Sequence, residues 1–465
     1  MLLTILACLL PTQSGEDQAR ALLERAQAHA REGRYGDARA TFERILERFP
    51  GTDAARTAEH RTKPSAFLGW ETIVDHGRPS NRVDIVLMGD GYEFEHLKAF
   101  DKLADDIPPL FEREEPFREY WSYLNFIRAS LVSADNGVDG FGREYDTVLG
   151  ARTADTFSGH VVIDPGRVQA MLSELPEHDG LAICFVKNGV LGTGGSGYAA
   201  IGGRDAGTTI HEWGHAFAGL GDEYQTQQSA HVGGVSDRPN VSSTEDPKRV
   251  PWAHWIAAKH PSIGAYEGAA GRVRGAWKPT SAGCVMASEE EFCPVCREAL
   301  VLRIHAFVDP IDACTPPAQP RGVHEIIPVG ETPLEIRLKT MRPASHTLEV
   351  RWWVLPTARP ASTGGPGEVG VTRTEPPRPE AALDRTRRGP LPPLEGKPIH
   401  TSLHDDDGEH LMRIAPSDLE PGVYRVICRV KDTTELRGER WPWVLKDELG
   451  LLESERVWWI EVPQR

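Results

Sequence analysis

A chain of 465 residues has room for two or three domains with full-sized cores. Its formal charge of −16 works against nucleic acid as a partner, because binding a polyanion needs clustered Lys and Arg. No apolar run approaches the ~20 residues of a membrane-spanning helix, and seven cysteines are too few to build a disulfide scaffold.

The N-terminal MLLTILACLLPTQSG is an apolar run ending in turn-formers. Residues 1–15 resemble a short signal segment without a cationic start, and Ile5-Leu6-Ala7-Cys8 is loosely like a lipoprotein processing site. A secreted, periplasmic or cell-surface location is expected. Residues 16–60 are predicted to form a helical hairpin. Gly33, Tyr35, Ala38, Phe42, Leu46 and Pro50 fit the second part of a tetratricopeptide repeat, with Ala26 on the preceding helix. One unit without a second copy cannot cover its own apolar face, so it should dock on a partner or on the rest of the chain. A plain amphipathic helix pair is the alternative. RTKPSAFLGW (61–70) reads as a linker.

Strands and helices then alternate. Val83–Met88 is an apolar run broken only by Asp84 and suited to a strand buried on both faces, and Phe94–Phe111 has helical spacing. Leu124–Val132 reads as a strand, Val168–Leu175 as a short helix and Leu181–Val186 as a third strand. The glycine-rich 188–203 is not followed by Gly-Lys-Ser/Thr, which argues against a phosphate loop.

Next comes His211-Glu212-Trp213-Gly214-His215. On a helix the two histidines lie one turn apart on one face and can grip one zinc ion. Glu212 beside them is placed to take a proton from a reacting water. A chance HExxH on an ordinary amphipathic helix is the other reading. Thr208 and Thr209 stand where an N-cap would be, Gly219 and Gly221 offer a break, and Asp222 and Glu223 follow with carboxylates.

Residues 225–280 are loop-rich, with 239–243 expected to open a lower subdomain and 266–280 to wall a cleft. His231, His254 and His260 lie here at no spacing that favours metal binding, and read as surface or packing residues. Cys284, Cys293 and Cys296 admit a second zinc, a redox CxxC or a disulfide. Structural zinc wants four ligands and the segment offers three thiols, so zinc ranks last. A disulfide from Cys284 to Cys293 or Cys296 is the most economical reading for an exported chain. Cys184 and Cys428 read as buried thiols.

From about 310 the pattern is all-β. Leu334–Leu338, Leu348–Leu355, Tyr424–Val430 and Val457–Val462 read as strands of an immunoglobulin-like sandwich over 323–465, with a disordered insertion at 357–398. HDDDGEH (404–410) reads as an acidic hairpin tip rather than a calcium loop.

HEWGHAFAGLGDEY resembles the active-site signature of the IgA-peptidase family of zinc metallopeptidases. RVDIVLMGDGY (82–92), EEPFREY (114–120), LVSADNGVD (131–139), GGSGYAAIGG (194–203) and FCPVCREAL (292–300) resemble that family's blocks in the same order, over about residues 65–305. The resemblance implies an α/β (α+β) metzincin-like catalytic domain at 71–308 and one catalytic zinc. It implies an endopeptidase hydrolysing peptide bonds in extracellular proteins, without making immunoglobulin A the substrate. The glycine-rich run would then be an edge strand on which an extended substrate pairs.

Metzincins read HExxHxxGxxH. Gly219 lies one residue late, and Asp222 keeps the Gly-to-ligand step of three, so Asp222 is the expected third ligand and Glu223 the runner-up. Met286 would be the hydrophobic floor beneath the metal, followed by Ala287 where the family often has Arg. Tyr198, Tyr224 and Tyr266 are candidate donors to the oxyanion. The rival class is a non-catalytic surface adhesion module with a structural zinc. Glu212 argues against it, because a structural site needs no base and closes with four protein ligands.

Overall fold

The computed structural model describes residues 14–140, 142–154, 159–202, 206–226, 234–288, 291–318, 325–359, 389–402 and 408–464. It opens with three helices, α1 (Gly15–Arg31), α2 (Tyr35–Arg48) and α3 (Asp53–Arg61), one more than the expected hairpin. The hairpin reading gave no third helix, yet Pro50-Gly51 only separates α2 from a fresh start. Thr52 caps α3 by accepting from the Ala55 amide. Ala19, Ala26, Ala30, Ala38 and Ala58 let the helices close tightly around Phe42 and Ile45. The expected linker is corrected as well: β1 (Ala66–Val74) begins inside it, burying Ala66, Phe67 and Leu68.

After β1 come β2 (Val83–Asp90), α4 (Leu97–Asp105), α5 (Pro108–Phe111) and β3 (Leu124–Val132). Then follow β4 (Arg152–Thr153), β5 (Val161–Val162), α6 (Pro165–Leu172), β6 (Leu181–Val186), β7 (Thr193–Gly195), β8 (Tyr198–Gly202) and α7 (Ala206–Ala218). The main sheet has the order β1-β3-β2-β6-β8-β7, parallel from β3 to β8 with an antiparallel strand at each edge. Alternation splits β2 between the two faces. Val83, Ile85 and Leu87 join Phe100, Phe111 and Trp213, while Val86 and Met88 meet Val168 and Leu172 of α6. Cys184 is a buried thiol here, as expected.

The chain continues through α8 (Ala253–Ala257), β9 (Tyr266–Glu267), β10 (Trp277–Lys278) and α9 (Pro294–Phe307). The β region holds β11 (Ile311–Thr315), β12 (Ile326–Pro328), β13 (Leu334–Thr340), β14 (Glu349–Thr357), β15 (His400–Ser402), β16 (Glu409–Ile414), β17 (Gly422–Lys431) and β18 (Glu453–Val462). One sheet runs β11-β13-β16 and the other β12-β18-β17-β14-β15. Ile336, Leu338, Met412 and Ile414 of the first share a core with Val350, Trp352, Val426, Cys428 and Trp458 of the second. Strand β11 starts this region ahead of the expected boundary at 323. Most of the 357–398 insertion, and residues 404–407 of HDDDGEH, lie outside the described residues. Among the described residues no helix is long and apolar enough to cross a membrane.

A buried ionic network ties the β region to the α/β region. His346 Nδ1 meets Glu119 Oε1 at 2.7 Å and its Nε2 meets Asp432 Oδ1 at 2.7 Å. Tyr120 donates to Asp432 Oδ2 at 2.9 Å, and His305 Nε2 lies 3.1 Å from the same oxygen. Burial works against charge on His346, but hydrogen bonds to Asp432 and Glu119 outweigh it and lift the imidazole to about 9. A folded value above the unfolded one gives stability that is full below pH ~6.5 and lost as pH rises through 9. His346→Ala should therefore lower stability by about 3–5 kcal/mol near pH 6, with the gap to wild type narrowing above pH 9. Denaturant melts across that range check this; a gap independent of pH would contradict it.

Candidate metal centre and cleft

Helix α7 alternates its loyalties along its length. Trp213 and Phe217 face the core, their rings stacked at 5.1 Å, while His211 and His215 turn to the opposite side. The helix starts at Ala206, so Thr208 and Thr209 sit in its first turn and not at the expected cap. It ends as the sequence suggests. Gly219 has φ of +65° and its amide donates to the His215 carbonyl at 3.1 Å, a left-handed C-terminal stop. The reversed chain is clamped by Asn240, whose amide side chain bonds both the N–H and the C=O of Gly221 at 2.7 and 2.8 Å.

That reversal brings Asp222 back over the helix. Its Oδ1 lies 3.2 Å from His211 Nε2 and 3.1 Å from His215 Nε2, and the two Nε2 atoms are 3.1 Å apart. Nδ1 of His211 is bonded to the Val285 carbonyl at 2.9 Å, and that of His215 to the Leu220 carbonyl at 2.7 Å. Each carbonyl accepts a hydrogen bond from the Nδ1–H, which turns Nε2 toward Asp222 as the nitrogen that can ligate. Burial opposes charge on Asp222, but hydrogen bonds from both imidazoles hold its carboxyl well below the usual range. The runner-up Glu223 points the other way, into a fully buried cluster with Cys284, Cys293 and Cys296.

Glu212 stays out of this trio and lines the cleft beside it. Burial raises its carboxyl, and the neighbouring His215 and His211 partly offset that. Of the three tyrosines, Tyr224 alone joins the site, stacking on His211 at 6.2 Å. Burial pushes its hydroxyl up to about 12, so it keeps its proton across the neutral range. Tyr198 is corrected: it lies on the far side of the sheet and bonds Gln169 at 3.1 Å. Tyr266 is corrected as well, being exposed and not among the cleft residues, because β9 and β10 carry it away from the helix. His254 meets Glu298 at 2.6 Å and His260 packs edge-on against Trp255, both away from the cleft; His231 lies outside the described residues.

Two residues of the cleft went unnoticed in the sequence. His160, immediately before β5, and Arg272 both line it. Neither belongs to a motif, and a loop brings each in. The cleft has a volume of about 460 Å³ on one side of the histidines and about 760 Å³ on the other. The second part is walled by Leu110, Leu191, Ile210 and Val285.

Met286 is fully buried beneath α7, in a turn closed by the Ala287 amide on the Cys284 carbonyl at 2.8 Å. A side chain on Gly214 would meet its sulfur at 2.7 Å, which explains the glycine between the histidines. The expected disulfide is corrected: Cys284, Cys293 and Cys296 are free thiols, with Sγ of Cys284 and Cys296 3.8 Å apart. The physical reason is a fourth group, Glu223, arriving from 70 and 73 residues before Cys293 and Cys296 to sit among them. Burial pushes the Glu223 carboxyl up to about 8.

Residues 72–262 match the family model of IgA Peptidase M64, and residues 19–60 match that of a tetratricopeptide repeat. No curated protein matches the chain.

The edge strand crosses α7 so closely that Gly194 has no room for a methyl group, which would run into the Glu212 carbonyl and reach His215 Cβ at 2.8 Å. Among the described residues nothing lies within 4 Å of the same position on Gly195. Gly194→Ala should thus cost about 1–3 kcal/mol of stability and Gly195→Ala less than about 0.5. Thermal unfolding of the two variants checks this; equal losses would show that the strand is not in tight contact.

Proposed function

With residues 72–262 belonging to the IgA-peptidase family of metallopeptidases, we propose that the chain is a zinc-dependent endopeptidase acting on extracellular proteins. The observation that carries this reading is the trio of donors from His211, His215 and Asp222. Bonds of about 2.0–2.1 Å at the tetrahedral angle place donor atoms about 3.3 Å apart. The three atoms here are 3.1, 3.1 and 3.2 Å apart, so the set fits a zinc ion with one position left over. Zinc held there would supply the acidity that makes water a nucleophile at neutral pH and a charge facing the scissile carbonyl.

The chain's own residues do the rest. Glu212 accepts the proton of the attacking water and returns it to the leaving amine. The Tyr224 hydroxyl is a donor toward the carbonyl oxygen, where negative charge develops. The edge strand β7 offers its free side to an extended substrate backbone, and its glycines let that backbone approach. The apolar cavity beside Val285 accepts a large apolar side chain of the substrate.

In the same reading the α/β region is metzincin-like, supported by Met286 under the histidine helix, and the C-terminal sheets form an immunoglobulin-like sandwich, supported by their common core. The N-terminal helices brace the catalytic region. Tyr35 supports this, its buried hydroxyl donating to Asp101 at 2.6 Å and lying 3.2 Å from the Ser130 hydroxyl. The apolar N-terminal run supports export.

Glu212→Gln matches the shape of the wild type without a basic oxygen. It should retain metal and lose casein or peptide cleavage by about 10³–10⁴-fold. Turnover comparable to wild type in a metal-replete mutant would sink the mechanism. Asp222→Ala should release the metal from the histidine pair; undiminished occupancy of that site, measured by cobalt absorption, would remove Asp222 from the ligand set.

A further inference from the structure

We propose that Glu223, Cys284, Cys293 and Cys296 form a second, closed zinc site. It clasps together the turn that carries Asp222 and the turn that carries Met286. Their ligand atoms all lie within 4.8 Å of one another. Glu223, Cys284 and Cys296 are 0% exposed and Cys293 is 5% exposed.

Two of the three closest edges match what a tetrahedral ion would impose, and the third is shorter. Zinc bonds of about 2.3 Å to sulfur and 2.1 Å to oxygen set S···S edges near 3.8 Å and S···O edges near 3.6 Å. The structure has 3.8 Å between Sγ of Cys284 and Cys296, and 3.7 and 3.1 Å from Glu223 Oε1 to Sγ of Cys293 and Cys296. Four protein ligands leave no place for water, so the site is structural, unlike the open trio beside it.

Two further observations point to a cation. Glu223 Oε2 is buried with no hydrogen-bond partner among the described residues, a costly arrangement unless positive charge faces the carboxylate. The surrounding donors also favour the charged ligand forms. Asn240 Nδ2 donates to Glu223 Oε1 at 2.9 Å, and the Cys293 amide donates to Cys284 Sγ at 3.3 Å. Three soft thiolates select zinc over calcium or magnesium. A disulfide would use two of the sulfurs at about 2.05 Å and strand Glu223 in an uncharged pocket.

The clasp explains a linkage across the site. Glu223 follows Asp222 directly, and its amide donates to the Met286 carbonyl at 2.6 Å. The Cys284 carbonyl closes the Met286 turn, and Cys293 stands at the N-cap of α9. One ion would pin all three segments beneath the histidine pair. Nothing in this rests on His211, Glu212 or His215, so it stands or falls apart from the peptidase reading.

The test is metal and thiol stoichiometry on the full chain, purified without added metal or reductant. Wild type should hold about two zinc ions, and His211→Ala and Cys296→Ser about one each, from opposite sites. Cobalt substitution should give thiolate-to-cobalt charge-transfer absorption that survives in His211→Ala and vanishes in Cys296→Ser. The three thiols should resist alkylation until chelator and denaturant are added. One zinc in wild type that disappears in His211→Ala would overturn the proposal, as would a disulfide found by mass spectrometry among the three cysteines. Should Cys296→Ser fail to fold, zinc X-ray absorption of the wild type decides: sulfur at about 2.3 Å is expected, and a shell of only nitrogen and oxygen overturns it.

Discussion

Everything at the cleft depends on how the chain reverses after α7. Gly219 takes a left-handed conformation, which costs about 1–2 kcal/mol for a residue with a side chain and nothing for glycine. From there two adjacent carboxylates part company. Asp222 swings into the cleft against two imidazoles, and Glu223 goes into the protein among three thiols. Their side chains leave the turn in opposite directions. A different stop at the end of α7 would misplace both.

The helix itself is gripped from three directions. Above the histidines lies the glycine-rich edge strand, with no space between Gly194 and the Glu212 backbone. Beneath Gly214 lies the Met286 sulfur. On the apolar side Trp213 is fully buried between Phe217 and Phe111, at 5.1 and 5.9 Å between ring centroids. The residues with a chemical task need not also hold the helix in place, because the intervening ones do. The C-terminal sheets add rigidity at a distance through Glu298, which accepts from Trp255 and from the Leu445 amide at 2.7 Å each.

The parts legible in the sequence were those set by local pattern. Ile85–Met88 and Leu181–Val186 are apolar throughout, which suits strands buried on both faces. His211 and His215 are one helical turn apart by arithmetic alone. What stayed hidden depended on residues meeting from afar. Glu223 completes a cluster with cysteines more than sixty positions away, so a count of ligands within the segment 284–296 fell one short. Tyr198 looked well placed beside the glycine-rich run, but strand alternation sends its ring to the far face. Glu119 and Tyr120 stood in a stretch resembling a family block, yet their work is to meet His346 and Asp432 of the β region. His160 carried no signal, since a lone histidine in a loop region says nothing of where the loop goes.

The most direct measurement of the central claim is cleavage of an unbiased peptide library by the full chain, read by mass spectrometry. It would be run as purified, after chelation, and after zinc is restored. The account predicts hydrolysis at internal peptide bonds that stops on chelation and returns with zinc. A metal-replete chain that cuts nothing, or one that cuts equally well after its metal is removed, would contradict it.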